Sequence, residues 1–209
     1  MRKLPIVAVF GQGSRIDPVR ADLARAVGAM VARLGAHLLT GGGYGVMEAA
    51  AEGFVQIADR PGLSIGIVPR RADGPLDQPN RDAEGRPYPN AYVEIAIMTP
   101  LPPRAADWRT TPARNHINVF TADAIVALPG GKGTRNELAM AAFYRDEPMR
   151  ARAERRTVLL GPAEEFAPEY HRLFVHAATV FEAERHLARV LGQRGFSPVT
   201  EAARARATP

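Results

Sequence analysis

The chain contains no cysteine among its 209 residues. Disulfide bonds and thiolate metal sites are therefore excluded. The five histidines lack the HExxH spacing of a zinc protease, and His171 and His176 stand five residues apart, the wrong interval for one helix face. We therefore predict no metal site and no other cofactor. The absence of cysteine also fits our prediction of a cytoplasmic protein.

The sequence also lacks a long hydrophobic run. No stretch of about 18 apolar residues is present, so we expect no membrane-spanning helix. The start, Met1-Arg2-Lys3-Leu4-Pro5, has none of the apolar core of a signal peptide. Hydrophobic residues make up 46% and charged residues 23% of the chain, which is ordinary for a globular protein.

Lysine is scarce, since only Lys3 and Lys132 occur, and arginine supplies most of the positive charge behind the net value of +5. The basic residues are not gathered into one block with interleaved aromatic residues. A basic surface in solvent explains them, and we do not predict a nucleic-acid-binding protein.

Apolar runs of strand length alternate with segments of helical periodicity along most of the chain. This order predicts a Rossmann-like, doubly wound α/β fold, with a mostly parallel sheet of about six or seven strands and helices on both faces. The predicted strands are 5–10, 36–40, 63–68, 91–98, 124–128 and 157–160. The predicted helices are 18–34, 45–58, 113–121, 134–145, 164–178 and 181–191.

Two long segments do not follow this alternation. Residues 69–90 and 99–112 are rich in proline and polar residues, and loops of this length in a compact domain are usually functional lids or disordered. We predict a single domain over residues 1–195 and a tail over 196–209, and we expect ligand selectivity to lie in the loops between 69 and 112.

Three glycine-rich turns each follow a predicted strand. The first contains Gly11, Gly13 and Ser14, the second is Gly41-Gly42-Gly43-Tyr44-Gly45, and the third is Pro129-Gly130-Gly131-Lys132-Gly133-Thr134. Glycine lets the backbone approach an anion closely, and the helix that follows offers unpaired N–H groups. Because parallel strands end at one edge of their sheet, we predict a shared phosphate-binding crevice there.

The common nucleotide motifs do not match these turns. The dinucleotide fingerprint G-x-G-x-x-G fails at the first turn, where Ile16 replaces the third glycine, and at the second, where Val46 does. The triphosphate-binding loop needs Lys followed directly by Ser or Thr, but Gly133 follows Lys132. The sequence therefore does not predict an NAD-binding protein or a nucleoside triphosphatase.

Polar residues near the third turn allow two interpretations each. Thr134 and Glu137 fit a capping box, in which both side chains only satisfy backbone N–H groups, but Glu137 could also carry chemistry beside a phosphate. Arg114 and Asn118 share one face of the predicted helix 113–121. They are either ordinary polar residues of a helix start or, since the guanidinium group suits phosphate, part of the site.

Taken together, these motifs resemble the LOG ("lonely guy") family, whose members were long labelled possible lysine decarboxylases. The resemblance rests on Gly41–Met47, on Arg114, and on the segment from Pro129 through Glu137, and it spans about residues 5–160. It implies a Rossmann-like fold, a homodimer, and a phosphoribohydrolase that cleaves a nucleoside 5′-monophosphate into a free base and ribose 5-phosphate. With only Lys3 and Lys132 present, a pyridoxal-phosphate lysine and the decarboxylase activity are not indicated.

The resemblance also implies which residues form the site. Arg114 and Glu137 would be the catalytic pair. The remaining predicted site residues would bind the phosphate and the substrate, and they are Gly11, Gly13, Ser14, Gly42, Gly43, Gly45, Asn115, Asn118, Gly130, Gly131, Gly133 and Thr134.

One position departs from the hydrolases of this family. They commonly carry Arg-Lys at the start of this helix, whereas this chain has Arg114-Asn115. The sequence Arg114-Asn115 with Asn118, and the run Gly45–Ala50, resemble a sister branch that includes molybdenum cofactor carrier proteins. The alternative to hydrolysis is therefore a non-catalytic carrier of a phosphorylated heterocycle.

Overall fold

The computed structural model describes residues 3–69, 80–82, 84–143, 156–193 and 195–196. A short 3₁₀ turn at Ala163–Glu165 precedes the last helices. The strands within these residues are β1 (Ile6–Phe10), β2 (His37–Thr40), β3 (Ser64–Pro69), β4 (Ile95–Thr99), β5 (Ala124–Ala127), β6 (Thr157–Leu160) and β7 (Val175–Ala177). The α-helices are α1 (Pro18–Arg33), α2 (Val46–Val55), α3 (Arg114–Thr121), α4 (Lys132–Phe143), α5 (Pro168–Leu173) and α6 (Val180–Gln193).

The seven strands form one sheet in the order β4-β3-β2-β1-β5-β6-β7, and every pairing in it is parallel. From β1 the chain winds outward to β4 and then returns to place β5 on the other side of β1. The winding direction therefore reverses between β1 and β5. In open parallel sheets such a switch point leaves a crevice at the carboxyl ends of the strands.

Buried residues lie on both faces of the sheet. One core packs α1, α2 and α6 against alternate residues of the central strands, among them Val7, Val9 and Val126. The other packs α3, α4 and α5 against the opposite positions, such as Ala8 and Ile125. Because both faces are covered, the central strands are almost wholly apolar. The predicted doubly wound α/β fold is confirmed.

Two predicted elements differ from the structure. The strand predicted at 91–98 begins only at Ile95, because Asn90 holds a turn in which its carbonyl side chain accepts a hydrogen bond from Tyr92 N (3.0 Å). The helix predicted near 164–178 is confirmed only over Pro168–Leu173. That segment contains the 3₁₀ turn, the six-residue helix α5, and β7, which ends the sheet. Strand β7 has only three residues, too few to show the alternation of a strand in the sequence.

The described helices include none that is long and apolar enough to cross a membrane. The strands that join the sheet come from positions 6 to 177. The division into a domain at 1–195 and a tail at 196–209 stays a prediction, since residues 197–209 lie outside the described residues.

Helices α1 and α2 touch at two glycines. A Cβ atom on Gly28 would lie 1.8 Å from the carbonyl oxygen of Ala50, and one on Gly53 would lie 2.1 Å from that of Arg25. The backbones of these helices therefore approach more closely than any side chain allows. This contact sets the position of α2, and with it the second glycine turn, which leads into α2.

We predict that Gly28→Ala lowers the free energy of unfolding by about 1–3 kcal/mol, because the new methyl group forces the two helices apart. The matched control is Gly192→Ala in α6, where a Cβ meets no atom within 4 Å. That variant should gain roughly 0.5–1 kcal/mol from the better helix propensity of alanine. Urea unfolding measures both, and equal stability of Gly28→Ala and the wild type would refute the close contact.

Candidate functional site

The three glycine turns meet at the switch point. A Cβ on Gly45 would lie 2.4 Å from the carbonyl oxygen of Gln12, and Val46 N donates to that same oxygen at 2.9 Å. A Cβ on Gly130 would lie 2.9 Å from Gln12 N. The second and third turns therefore both pack against the first. Gly45 also has a φ of +66°, in the left-handed region that favours glycine.

A cleft of about 380 Å³ opens beside these turns, a volume within the range of small-molecule sites. Its floor comes from the carboxyl end of β1 and the turn that follows. The third turn and the start of α4 form one wall, and segments 80–88 and 103–104 form the mouth. The cleft thus lies where the reversal of winding predicts a ligand.

Thr134 and Glu137 do not form a capping box. Helix α4 begins at Lys132, so Thr134 is its third residue and not its N-cap. The Glu137 carboxylate accepts a hydrogen bond from Asn118 Nδ2 at 3.0 Å instead of from a backbone N–H at the helix start. Both side chains line the cleft, and both are buried, Thr134 at 4% exposure and Glu137 at 7%. They are therefore available to a ligand in the cleft.

Arg114 is buried at the base of the cleft. Its Nη1 donates to the carbonyl oxygen of Gly41, just after β2, and at 3.0 Å to that of Ile67 in the neighbouring strand β3. Gly41 has to be glycine, since a Cβ there would overlap the guanidinium group. Burial lowers the pKa of Arg114, and the nearby Glu137 opposes this effect. Arg114 therefore holds the second turn in place and brings a positive charge close to Glu137.

Glu137, like Arg114, is a buried residue of the cleft with a shifted pKa. Burial raises its pKa to about 7, while the positive charge of Arg114 and the hydrogen bond from Asn118 act in the opposite direction. A carboxyl group with this pKa exists in both protonation states near neutral pH. This is the property that general acid–base catalysis requires.

Three buried polar atoms beside Glu137 have no hydrogen-bond partner among the described residues: Thr134 Oγ1, Arg114 Nε and Asn118 Oδ1. Leaving a buried polar atom without a partner costs about 1–3 kcal/mol. Native structures rarely tolerate this, and such atoms mark places where a ligand or water completes the bonding. The presence of these three atoms near one carboxyl group favours a ligand-binding site over an empty cavity.

Most of the predicted site residues come together here. The cleft is lined by Gly11, Gly13, Ser14, Arg114, Asn115, Gly131, Gly133, Thr134 and Glu137. Asn118 lies behind the wall, bonded to Glu137. The other predicted residues, Gly42, Gly43, Gly45 and Gly130, do not line the cleft and instead shape the turns.

Asn115 occupies the position at which the resemblance expects lysine. It is buried at 2% exposure, and its Nδ2 lies 3.5 Å from both Gly133 O and Asn136 Oδ1. The amide therefore faces the backbone of the third turn and supplies no positive charge to the cleft.

Sequence reasoning missed several lining residues, namely Gln12, Gly41, Met47, Asn80, Arg81, Asp82, Glu84, Tyr88, Pro103 and Arg104. Gly41 and Gln12 belong to turns that the sequence did identify, so proximity to those turns was a usable signal. The residues at 80–88 and 103–104 carry no motif. Only the folded chain brings these loops over the cleft.

The segment 80–90 is tied to the second turn. Asn90 N donates to Gly42 O at 2.8 Å, and Asn90 Nδ2 donates to Gly43 O at 2.6 Å. Tyr44 donates its hydroxyl to Pro87 O at 2.7 Å. Within the segment, Arg86 Nε donates to Asp82 Oδ2 at 2.6 Å. Pro87 and Asn90 are therefore held to the second turn by hydrogen bonds that backbone carbonyl groups accept.

No group of three or more metal-ligating side chains is placed to hold a metal ion within the described part of the chain. A fully parallel, doubly wound sheet with a ligand-sized cleft at its switch point defines the class of Rossmann-like α/β proteins. The chain belongs to the SLOG cluster4 family, whose family model matches residues 4–159. The narrower assignment to the LOG family stays a prediction.

The chain is also similar to several individual proteins. An uncharacterized protein from Archaeoglobus fulgidus is 32% identical over 139 residues, which cover 66% of this chain and 74% of the relative. The molybdenum cofactor carrier protein of Chlamydomonas reinhardtii is 26% identical with a TM-score of 0.63. The molybdenum cofactor binding protein of Rippkaea orientalis is 27% identical with the same TM-score. Each of these two structures matches 91% of this chain and is itself covered to 99%.

We predict that Glu137 destabilises the unliganded protein as the pH rises. Its pKa is about 7 in the folded state against a usual value of 4.5, so the folded state holds the proton more tightly than the unfolded state does. The associated stability is fully present below about pH 4.5 and is lost as the pH rises through about 7, a loss of roughly 3 kcal/mol.

Glu137→Gln isolates this effect, since glutamine keeps an oxygen for Asn118 and does not titrate. Urea unfolding of both proteins from about pH 4 to pH 8 should show the wild type losing roughly 3 kcal/mol relative to the variant. Contributions from all other titrating groups cancel in this difference. A difference that does not change with pH would show that the Glu137 carboxyl is not perturbed.

Proposed function

We propose that the protein is a phosphoribohydrolase that cleaves the N-glycosidic bond of a nucleoside 5′-monophosphate and releases the free base and ribose 5-phosphate. The observation that carries this proposal is the buried carboxyl group of Glu137. It has a pKa of about 7 and lies in a cleft large enough for a small-molecule ligand. A buried group of this kind destabilises the protein, and such a cost is typical of a catalytic position.

The phosphate is bound by the third turn and the start of α4. Gly131 and Gly133 border the cleft without side chains, so their backbone can approach an anion. The N-terminus of α4 has the partial positive charge that favours phosphate. Thr134 Oγ1, buried and without a partner among the described residues, is the hydroxyl that donates to a phosphate oxygen.

Glu137 acts on the ribose. As the bond from C1′ to the base nitrogen breaks, positive charge develops on the sugar ring, and the ionised carboxylate stabilises it. The carboxylate accepts a proton from the attacking water, whose oxygen bonds to C1′. The bond electrons leave with the base, which takes up a proton from solvent, and Glu137 returns its proton to solvent. The products are free base and ribose 5-phosphate.

Arg114 acts through Glu137 and through the backbone. Its positive charge favours the ionised carboxylate and keeps the pKa of Glu137 from rising further. Its bonds to Gly41 O and Ile67 O hold the base of the cleft. Asn118 orients the carboxylate through the bond from its Nδ2.

A second candidate function is non-catalytic carriage of a phosphorylated heterocycle such as the molybdenum cofactor. Two observations favour it. The similarity to molybdenum cofactor carrier structures extends over 91% of this chain. Asn115 stands where the hydrolases of the resembling family commonly carry lysine, so one cation is missing from the cleft. In this function Glu137 would contact the ligand without transferring a proton.

Base release separates the two functions. Incubation with a panel of nucleoside 5′-monophosphates, followed by chromatography of free base, should show turnover by the wild type. Glu137→Gln should lower the rate by about 10²- to 10⁴-fold, the usual contribution of a general acid or base. The matched control is Glu169→Gln, which removes an exposed carboxyl of α5 and should leave the rate unchanged.

One combined result would refute the hydrolase function. No nucleoside monophosphate would release a base, and a phosphorylated ligand would bind tightly to both the wild type and Glu137→Gln. That combination supports the carrier.

We also propose a homodimer, as the family resemblance implies. Ile95 and Ile97 on the edge strand β4 are 40% and 45% exposed, and they lie on the same face of the sheet as helix α3, where Phe120 is 50% exposed. Light scattering should give about twice the chain mass of 22.6 kDa at micromolar concentration. Ile97→Lys should shift the mass toward a monomer, and a monomeric wild type would exclude the dimer.

A further inference from the structure

The mouth of the cleft presents one partly exposed aromatic ring among residues that are mostly glycine or polar. Of the aromatic side chains that line the described cleft, Phe10 is buried at 2% exposure, whereas Tyr88 is only partly buried. Tyr88 comes from the segment 80–90, which carries no sequence motif. The hydrolytic chemistry above assigns it no role.

The ring of Tyr88 has a defined position. A Cβ on Gly43 would lie 2.7 Å from Cε1 of Tyr88 and 2.9 Å from its hydroxyl oxygen, so the ring rests on the bare backbone of the second turn. The ring of Tyr44 meets it edge to face, with centroids 6.2 Å apart and planes at 69°. Tyr88 N donates to Asn80 O at 2.9 Å. The ring is therefore positioned before any ligand binds.

Met47 extends the same surface. Met47 lines the cleft and packs against three glycines, since a Cβ on Gly41, Gly43 or Gly13 would come within 2.9, 2.8 or 3.1 Å of its sulfur or terminal methyl. Methionine packs favourably against aromatic rings and adapts to their shape. Met47 and Tyr88 share Gly43 as a neighbour, and both line the cleft.

We propose that Tyr88 and Met47 bind the flat face of the ligand's heterocycle, and that Tyr88 is the residue that selects a ligand bearing such a ring over a bare sugar phosphate. This inference rests on the proposed function only insofar as the cleft takes a phosphorylated ligand. A planar nitrogen heterocycle stacks on an aromatic side chain whatever its hydrogen-bonding edge. The anionic end of the ligand binds at the third turn, as proposed above, and both Thr134 and Tyr88 line the same cleft.

Two variants isolate the flat ring. Tyr88→Phe and Tyr88→Leu both remove the hydroxyl and keep an apolar side chain, but only phenylalanine keeps the aromatic face. We would compare them in the Glu137→Gln background, so that the probe is not consumed. Adenosine 5′-monophosphate and ribose 5-phosphate are the two probes, and isothermal titration calorimetry measures their dissociation constants. Circular dichroism confirms that each variant is folded.

Tyr88→Leu should weaken binding of adenosine 5′-monophosphate by roughly 10- to 100-fold, the usual contribution of one base–aromatic stack. Tyr88→Phe should bind this nucleotide within about twofold of its parent. Ribose 5-phosphate has no aromatic ring to stack on Tyr88, so its affinity should be the same in all three proteins. This pattern supports the proposal whether or not the wild type releases base.

The other outcomes overturn it. Equal nucleotide affinity of Tyr88→Leu and its parent would show that the ring does not contact the heterocycle. An equal loss for both probes would show that Tyr88 only shapes the cleft. A parent that binds ribose 5-phosphate as tightly as the nucleotide would refute selection for a heterocycle and leave the phosphate site standing, whereas a parent that binds neither probe would refute both.

Discussion

The packing of three glycine turns against one another is the constraint on which this structure depends. Gln12 offers its carbonyl oxygen to the second turn and its N–H lies beside the third, and the glycines at 45 and 130 leave no space for a side chain between them. This contact brings the starts of α2 and α4 to one cleft. A larger residue at either position would separate the turns and divide the cleft.

The charged groups at the base of the cleft, Glu137 and Arg114, are buried at a cost in stability. Glu137 is buried and accepts a hydrogen bond from Asn118, while Arg114 Nη1 donates to the backbone oxygens of Gly41 and Ile67. Since burial disfavours the charged forms of both groups, the unliganded fold carries a cost at neutral pH. A ligand that binds the folded protein and not the unfolded chain would offset that cost.

Hydrolysis and carriage need the same cleft and differ in what Glu137 does. Both require an anion at the third turn and a planar group at the mouth. A hydrolase additionally needs a carboxyl group that changes its protonation state near neutral pH, and burial provides it here. A molybdenum cofactor carrier protein shares this fold with a TM-score of 0.63, and one fold can host different functions. The two proposed functions therefore differ in the role they give to Glu137.

Sequence alone determined the strand-and-helix order, the parallel sheet and the three turns, because hydrophobic periodicity and glycine are local signals. The family resemblance also indicated Arg114, Thr134 and Glu137 as site residues, and all three line the cleft. It missed β7, whose three residues show no periodicity, and the late start of β4.

Tertiary structure decided everything that depends on contact between distant segments. The pKa of Glu137 arises from burial and from Arg114, which is 23 positions away in the chain but adjacent in space. The position of Tyr88 over Gly43 follows from the bonds of Asn90 to the second turn. No local pattern encodes such contacts, because dielectric environment and loop placement exist only after the sheet has brought these segments together.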